Sequence, residues 1–451
     1  MRDEVVRRIH AREGLACVLG LGYVGLPLAL SLVEAGFRVL GVDADYFRAS
    51  RVAAGLPSSS DVPKERLEAA LASGDFEVRD ARASNPLCGE RPDYAFVCVP
   101  TPLRCGQDPD TSAIESAVEI LCRALMFEAE DAPRPLVVVL VSTSYPGTAR
   151  ELVAEKLAPL MIDATQPTPP SPLGYSLFVA SSPERVDPGR AVDYRTVPRV
   201  VGGDTRECTD VAATLLGTMQ DRVVRVSSSA AAEMSKLWEN TYRAVNIALA
   251  NEFAIMCDTL GLRTREVLDA ASTKPYGFQR FEPGPGVGGH CIPLDPRFLE
   301  HRMTALGYRS DMIAAAQRVN ERMPQYVGGR IARMLNGAGK AVNGSRIHIL
   351  GAAYKANVPD WRESPILDLI GWLRAHGCRA TYHDPLVPAI TLRDGVTEYH
   401  SAPHALEPCD LLVLATLHDA VRWREAAIAA PLVFDARGVL GGNLGDGAEQ
   451  L

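Results

Sequence analysis

The chain lacks any Cys-x-x-Cys pair: its ten cysteines are scattered, several of them inside apolar runs such as Phe96-Val97-Cys98-Val99. That scatter argues against a disulfide framework or a metal site and fits a reducing compartment. Lysine is scarce, with only Lys64, Lys156, Lys236, Lys274, Lys340 and Lys355 among 47 basic residues, so each remaining lysine invites a question. Long hydrophobic runs are missing too. The longest, Pro135 to Val141, is too short to span a bilayer, and the charged segment Met1 to Glu13 has no signal-peptide core. A cytoplasmic protein without a membrane partner is the expectation. There is no basic cluster either, and the formal charge of −8 is mixed along the chain. This excludes an extended nucleic-acid surface and leaves room for a small anionic ligand.

What is present is length and alternation. A chain of 451 residues that is 47% hydrophobic can bury two or three cores. From Leu15 an apolar strand meets a glycine turn and an amphipathic helix, Leu26 to Ala35, followed by a strand from Arg38 to Val42 that ends in Asp43. This is a βαβ opening. Further buried strands are predicted at Tyr94 to Val99, Leu136 to Ser142 and Leu177 to Ala180, with the Pro-rich segment Gln166 to Pro172 as a surface loop. From Ser228 to about Leu260, helical periodicity with little Gly or Pro predicts one long helix and a natural dimer surface. After Ser345 the alternation returns, with strands at Arg346 to Leu350, Arg379 to His383 and Asp410 to Ala415 around a helix near Pro365 to His376. The fold class is α/β: two Rossmann-like, doubly wound parallel-sheet domains joined by a long-helix α domain. Boundaries fall at 1–205, 206–325 with a loop at 281–296, and 326–451.

Gly20-Leu21-Gly22-Tyr23-Val24-Gly25 follows a strand directly and opens a helix, and Asp43 ends the next strand about twenty residues on. Backbone N–H groups there can approach a pyrophosphate, the helix N-terminus favours its charge, and Asp43 favours NAD over NADP. The competing reading of Asp43 is a strand-end cap. Pro100-Thr101 and Ser142-Thr143 stand where the carboxyl edge of an open sheet faces its ligand. Gly284, Gly286, Gly288 and Gly289 precede His290-Cys291, with Asp295 close behind. Such a loop lets a bulky polar ligand approach, so Cys291 reads as a nucleophile and not as a core thiol. His290 either depresses the thiol pKa or packs the loop. Lys236 and Asn240 project from one face of the long helix, where they can donate to an oxyanion. The blander reading pairs Lys236 with Glu233 or Glu239.

In these motifs the sequence resembles the UDP-glucose/GDP-mannose dehydrogenase family over nearly its whole length. The likeness rests on Gly-Leu-Gly-Tyr-Val-Gly-Leu-Pro at 20–27, Val-Pro-Thr-Pro at 99–102, Ser-Pro-Glu-Arg at 182–185 and Ala-Glu-Met-Ser-Lys at 232–236 with Asn240. It continues in Gly-Gly-His-Cys-Ile-Pro at 288–293 and Gly-Ala-Ala-Tyr-Lys at 351–355, followed by Arg362-Glu363-Ser364. The resemblance implies an NAD domain, a helical dimerisation domain, a UDP-binding domain, and a homodimer or multiple of dimers. It makes Cys291 the nucleophile, Lys236 and Asn240 the oxyanion partners, and Asp295 an acid–base helper. Gly20, Gly22, Tyr23, Val24, Gly25, Asp43, Arg48, Pro100, Thr101 and Thr143 would bind NAD, with Arg362 reaching the NAD of a neighbouring subunit. Glu184, Arg185, Lys236, Asn240, Gly286, Gly288 and Lys355 would bind the UDP-sugar.

The implied reaction is a four-electron oxidation of the sugar C6 through a thiohemiacetal and a thioester, reducing two NAD per turnover. The segments Tyr145 to Thr148, Glu184 to Gly189 and Thr273 to Phe278, with the Pro-Gly-Pro-Gly before the cysteine, are similar to the UDP-N-acetylglucosamine 6-dehydrogenase branch. UDP-N-acetylmannosamine and UDP-glucose are the alternatives. Pro188, where UDP-glucose enzymes often carry Glu, and the Ser-rich stretch Leu56 to Pro63 depart from the pattern. Two rival readings compete with this one. A β-hydroxyacid dehydrogenase would need neither Cys291 nor a second nucleotide domain, and a non-catalytic sensor would have no need of Lys236, Cys291 and Asp295 together.

Overall fold

The computed structural model describes the chain apart from residues 60–61, 84–85, 88, 105–107, 127–133, 162–172, 174–175, 187–192, 400–407 and 442–446. The Pro-rich loop at 166–172, residues 187–189 of the sugar-loop comparison, two positions of the Ser-rich stretch, and Cys88 and Cys105 thus lie outside the described residues. The chain divides into two compact units, Met1–Glu239 with Arg297–Gly307, and Asn240–Pro296 with Tyr308–Leu451. The division runs through the helix Ser229–Leu260. Among the described residues, no helix is long and apolar enough to cross a membrane.

The first unit is built on eight strands. They are β1 (Leu15–Leu19), β2 (Arg38–Asp43), β3 (Phe76–Asp80), β4 (Tyr94–Val97), β5 (Leu136–Leu140), β6 (Leu177–Ser181), β7 (Arg199–Gly203) and β8 (Val223–Arg225). Their order in the sheet is β3-β2-β1-β4-β5-β6-β7-β8. Strands such as Leu-Val-Val-Val-Leu in β5 are apolar on both faces because helices cover both sides. Val137 and Val139 join a core containing Leu28, Leu30 and Phe37, while Leu136, Val138 and Leu140 join Ile114, Val118 and Leu121 on the other side. Each fully buried side chain of this kind stabilises the fold by about 1.5–3 kcal/mol relative to exposure. Sequence periodicity does not reveal that β7 runs antiparallel to β6, because reversing a strand leaves its side-chain period unchanged. The N-terminal segment, charged on most of its length, forms a helix, Arg2–Ala11, that buries Val5 and Ile9.

The second unit carries a smaller sheet of β9 (Arg346–Leu350), β10 (Arg379–His383), β13 (Leu411–Leu414), β14 (Val433–Asp435) and β15 (Ala448–Gln450). A separate hairpin pairs β11 (Ala389–Thr391) with β12 (Thr397–Tyr399). The larger strand set is parallel in the order β10-β9-β13-β14-β15. Ile347, Ile349 and Val413 face a core shared with Met323, Val327 and Ile331 of the helix Asp311–Gly337, and Leu350, Leu412 and Leu414 face a smaller one. Both sheets are therefore doubly wound, as the alternation of strands and helices predicts.

Candidate active site

In the first sheet the order reverses between β1 and β4, opening a crevice at their carboxyl ends. The turn after β1 is made by backbone contact. Gly20 has φ +94°, and a Cβ there would lie 2.7 Å from the Cys98 carbonyl oxygen; a Cβ on Gly25 would lie 1.8 Å from the Gly20 carbonyl oxygen. At Gly22 a Cβ would meet nothing within 4 Å. The tight turn thus leaves one open side, over the helix Gly25–Glu34, whose first turn has no side-chain cap. Uncapped N–H groups beside open space suit the pyrophosphate of a dinucleotide.

Asp43, 3% exposed, accepts from Leu21 N at 2.6 Å and from Asp45 N at 2.8 Å, and its carboxylate pairs with Arg48 at 3.2 Å. It caps the strand and the glycine turn together, as the strand-end reading expects. The second sheet repeats the device. Gly351 has φ +90°, and Asp384 at the end of β10 accepts from Ala352 N, Ala353 N, Leu386 N and Val387 N, with His418 Nε2 at 2.9 Å. With His418 Nδ1 accepting from Asn357 N, the ring proton sits on Nε2 and donates to Asp384. Four backbone amides and one histidine thus occupy that carboxylate.

Around the first crevice, Thr101 Oγ1 donates to the Thr143 carbonyl and Ser142 Oγ donates to Val99 O at 2.7 Å, tying the ends of β4 and β5 together. The Ser144 and Ser182 hydroxyls at the ends of β5 and β6 are buried without a hydrogen-bond partner. Orphaned hydroxyls at a sheet's carboxyl edge fit a polar ligand. Glu184 accepts from Val186 N at 2.9 Å and pairs with Arg199 at 2.8 Å. Burial pushes its carboxyl up, but Arg199, the Val186 and Arg185 amides and Lys236 together outweigh that and hold it below the usual range. Sequence reading missed Arg199. Its available signal was a charge at the entrance to the buried strand Arg-Val-Val-Gly-Gly.

The bland reading of Lys236 does not hold, since both carboxylates proposed for it are committed elsewhere. Glu233 accepts from Gly147 N and Ala149 N, and Glu239 pairs with Arg185 at 2.6 Å. Lys236 itself is 8% exposed and within the field of Glu184. Arg185 is accordingly spent on Glu239 and on the Pro198 carbonyl.

In the second unit, a polar ladder holds the cysteine loop: Gly284 N donates to Asn251 Oδ1 at 2.8 Å, Asn251 to Asn320 Oδ1 at 2.9 Å, and Asn320 to Ala244 O at 3.1 Å. Gly288 fits against Tyr354 and the Glu363 carbonyl, 2.8 Å and 2.7 Å from where a Cβ would stand. A side chain at 288 would separate the loop from the segment that carries Lys355. Cys291 is half-buried, as are Cys122 and Cys409, whereas Cys17, Cys98, Cys208, Cys257 and Cys378 are buried. Asp295 closes the turn through its N–H to Cys291 O at 2.8 Å, and Asn240 Nδ2 donates to Asp295 Oδ2 at 2.5 Å. His290 lies 3.9 Å from Asp360, but burial first and Arg362 second push its pKa down. A neutral imidazole supplies no charge to a thiolate, which favours the loop-packing reading of His290. Arg362 is exposed and chelates Asp360 at 2.8 and 2.9 Å. The sequence candidates thus gather in two sets, one in each unit, with the helix Ser229–Leu260 carrying Lys236 of one and Asn240 of the other.

Residues 15–220 match the NAD binding domain of the UDP-glucose/GDP-mannose dehydrogenase family, 230–322 its central domain and 348–442 its UDP binding domain. The chain is 32% identical to a UDP-N-acetyl-D-mannosamine dehydrogenase of Pyrococcus horikoshii over 94% of its length and 95% of the relative's. It is also 32% identical to a UDP-N-acetyl-D-glucosamine 6-dehydrogenase of Pseudomonas aeruginosa, over 86% of its length and 85% of the relative's. Among solved structures, the UDP-D-ManNAc dehydrogenase of Pyrococcus horikoshii superposes with a TM-score of 0.82 at 30% identity, covering 97% of this chain and 98% of that one. Three consecutive domain matches, one for each nucleotide and one for the helical middle, leave no room for a β-hydroxyacid dehydrogenase, and the chain belongs to the UDP-glucose/GDP-mannose dehydrogenase family as an NAD-dependent enzyme that oxidises a UDP-sugar.

Proposed function

We propose that this enzyme oxidises C6 of UDP-N-acetylglucosamine to the carboxylate in two steps through Cys291. The half-buried thiol in a loop walled by glycine, with Asp295 closing the turn behind it, carries this reading. NAD, bound afresh for each oxidation, would accept one hydride from C6 each time, the first, with loss of the hydroxyl proton to water, leaving the aldehyde. Its adenosine end would be held at Asp43 and Arg48, its pyrophosphate at Gly20, Gly22, Tyr23, Val24 and Gly25, and its nicotinamide end at Pro100, Thr101 and Thr143. The Cys291 thiolate adds to the C6 aldehyde, forming a C–S bond, and the thiohemiacetal oxygen carries the charge. Lys236 Nζ and an Asn240 amide proton stabilise that oxyanion; one Asn240 N–H is already directed to Asp295, leaving the second to donate. Loss of the second hydride leaves a thioester. Water then adds to its carbonyl with Asp295 taking the proton, and the C–S bond breaks to release the carboxylate and the thiol. Glu184, Arg185, Gly286, Gly288 and Lys355 hold the substrate, and Arg362 reaches a neighbouring subunit's NAD. In this reading 1–205 binds NAD, 206–325 carries the helix and cysteine loop, and 326–451 binds UDP.

The N-acetylglucosamine preference rests on the loops at Tyr145–Thr148 and Thr273–Phe278 and on the Pseudomonas aeruginosa relative. The Pyrococcus horikoshii relative and its structure favour UDP-N-acetylmannosamine as the second reading. Purified enzyme given NAD and each of the two N-acetyl sugars or UDP-glucose should release two NADH per sugar, fastest with UDP-N-acetylglucosamine. Fastest turnover with UDP-N-acetylmannosamine moves the assignment to that sugar, and one NADH with free aldehyde removes the thioester.

The helix Ser229–Leu260 exposes Trp238, Tyr242, Leu249, Met256 and Leu260, spaced by four and seven residues along one stripe. That spacing marks a surface for a second helix, and we assign it to a homodimer. Leu249→Glu should shift the species seen by sedimentation velocity from dimer to monomer at micromolar concentration; an unchanged dimer would place the interface elsewhere.

A further inference from the structure

The mechanism leaves the buried acid Glu233 unused. Glu233 is 3% exposed on the first turns of the helix Ser229–Leu260, and its Oε2 accepts from Gly147 N at 2.6 Å while Oε1 accepts from Ala149 N at 2.8 Å. Those amides end the loop that leaves β5 and contains Thr143. The start of the loop is tied to the end of β4 through Ser142 and Thr143, so the segment 142–149 is gripped at both ends. Between the grips, Thr148 Oγ1 donates to Tyr145 O at 2.6 Å, and Ser144 keeps its buried hydroxyl without a partner. On the outer side, Arg302 stacks on Tyr145 and pairs with Glu151 at 2.6 Å. Lys236 stands three residues beyond Glu233 on the same helix, so one turn of helix both holds the loop and presents the amine.

We propose that Glu233 is a positioning residue, whose carboxylate locks the loop carrying Thr143 in register with Lys236 and so shapes the nicotinamide end of the NAD site. The proposal rests on the reading that Thr143 faces the cofactor. Both oxygens of Glu233 meet N–H donors, so the clamp is complete only when the group is ionised; a proton on either oxygen would confront an amide hydrogen. Burial pushes this carboxyl up to about 7, against the pull of the Gly147 and Ala149 amides, and Asp204 and Glu151 push the same way. The other titratable or charged groups near the loop are Lys236 on the same helix, Arg302, already paired with Glu151, His301, whose ring lies 6.0 Å from that of Tyr145, and Glu115, whose charge also acts on Tyr145. A folded pKa above the ordinary carboxyl value of 4.5 means that the linked stability is fully present below that pH and is lost as pH rises through about 7. The clamp therefore tightens the cofactor site over the same range in which its ionisation weakens the fold.

NADH binding without substrate, followed by fluorescence from pH 5.5 to 9, tests this apart from the chemistry at sulfur. Wild-type affinity should tighten about 10-fold as the clamp ionises, the range expected for one hydrogen bond to a charged group. Glu233→Gln should bind like the acid form at every pH, and Glu233→Asp, which keeps the charge at shorter reach, should restore a pH dependence with weaker binding. A Glu233→Gln enzyme that keeps the wild-type pH dependence overturns the proposal. Should that variant fail to fold, Glu233→Asp decides, and wild-type affinity at every pH counts against the clamp. Thr143→Val should weaken NADH binding. If it does not, the loop's assignment to the cofactor falls and the proposal with it; a Thr143→Val defect beside normal Glu233 variants removes the clamp alone.

Discussion

Replacing Cys291 by serine is expected to lower steady-state formation of the carboxylate by about four orders of magnitude while leaving NADH affinity within about twofold of wild type. The thiol is half-buried beside glycine backbone and a turn closed by Asp295. A serine hydroxyl fits the same space, but at neutral pH it has almost no anionic form, and its hemiacetal would end in an ester without the leaving ability of a thioester. The first hydride needs no sulfur, so a single turnover of Cys291→Ser should still yield up to one NADH per site before stalling. His290 will not compensate, because burial and Arg362 both favour its neutral form. Stopped-flow NADH absorbance paired with analysis of the sugar product reads both quantities, and a variant that keeps wild-type turnover would remove Cys291 from the mechanism.

Gly25→Ala is expected to be nearly as damaging by a different route. The new Cβ would stand 1.8 Å from the Gly20 carbonyl oxygen and 3.1 Å from Cys98 Cβ, and neither backbone nor buried strand end can retreat that far. The helix must move away from β1, at about 1–3 kcal/mol of overpacking strain, which corresponds to a drop in Tm of roughly 2–6 °C for a unit of roughly 250 residues. With the helix displaced, its N–H groups no longer converge on the pyrophosphate, and NADH affinity should fall at least about 100-fold. Gly22→Ala is the informative partner because nothing lies within 4 Å of its Cβ position. That variant should keep its Tm and still lose NADH affinity, since the methyl group points to the open side of the turn. Thermal unfolding and NADH titration of the pair separate the two effects, and normal NADH binding by both would place the cofactor elsewhere.

How far these sites were legible beforehand depends on the distance over which the information acts. The strands Arg346–Leu350 and Arg379–His383 appear at the limits read from apolar patterning, because a buried strand declares itself within five residues. The first glycine turn was equally clear, although its helix starts at Gly25 and not at Leu26. Arg199, Asp384 and His418 were not singled out, and Glu233 entered only as a partner for Lys236. Each is a polar group made tolerable in the interior by partners between 15 and 86 residues away in the chain, and no local pattern encodes such a pairing.

The order of residues along the chain was sufficient for the α/β class, the dinucleotide turn, the long helix and the glycine-walled cysteine loop, since each depends on spacing between near neighbours. Tertiary structure alone decided which carboxylates remain available for chemistry. Asp384 is consumed by four amides and a histidine, and Glu233 by two amides of a distant loop, while Glu239 is consumed by Arg185, leaving Lys236 without either of the partners its own helix offers. The reason is physical: hydrogen-bond capacity is exhausted by whichever donors folding brings within about 3 Å, and those donors come from anywhere in the sequence.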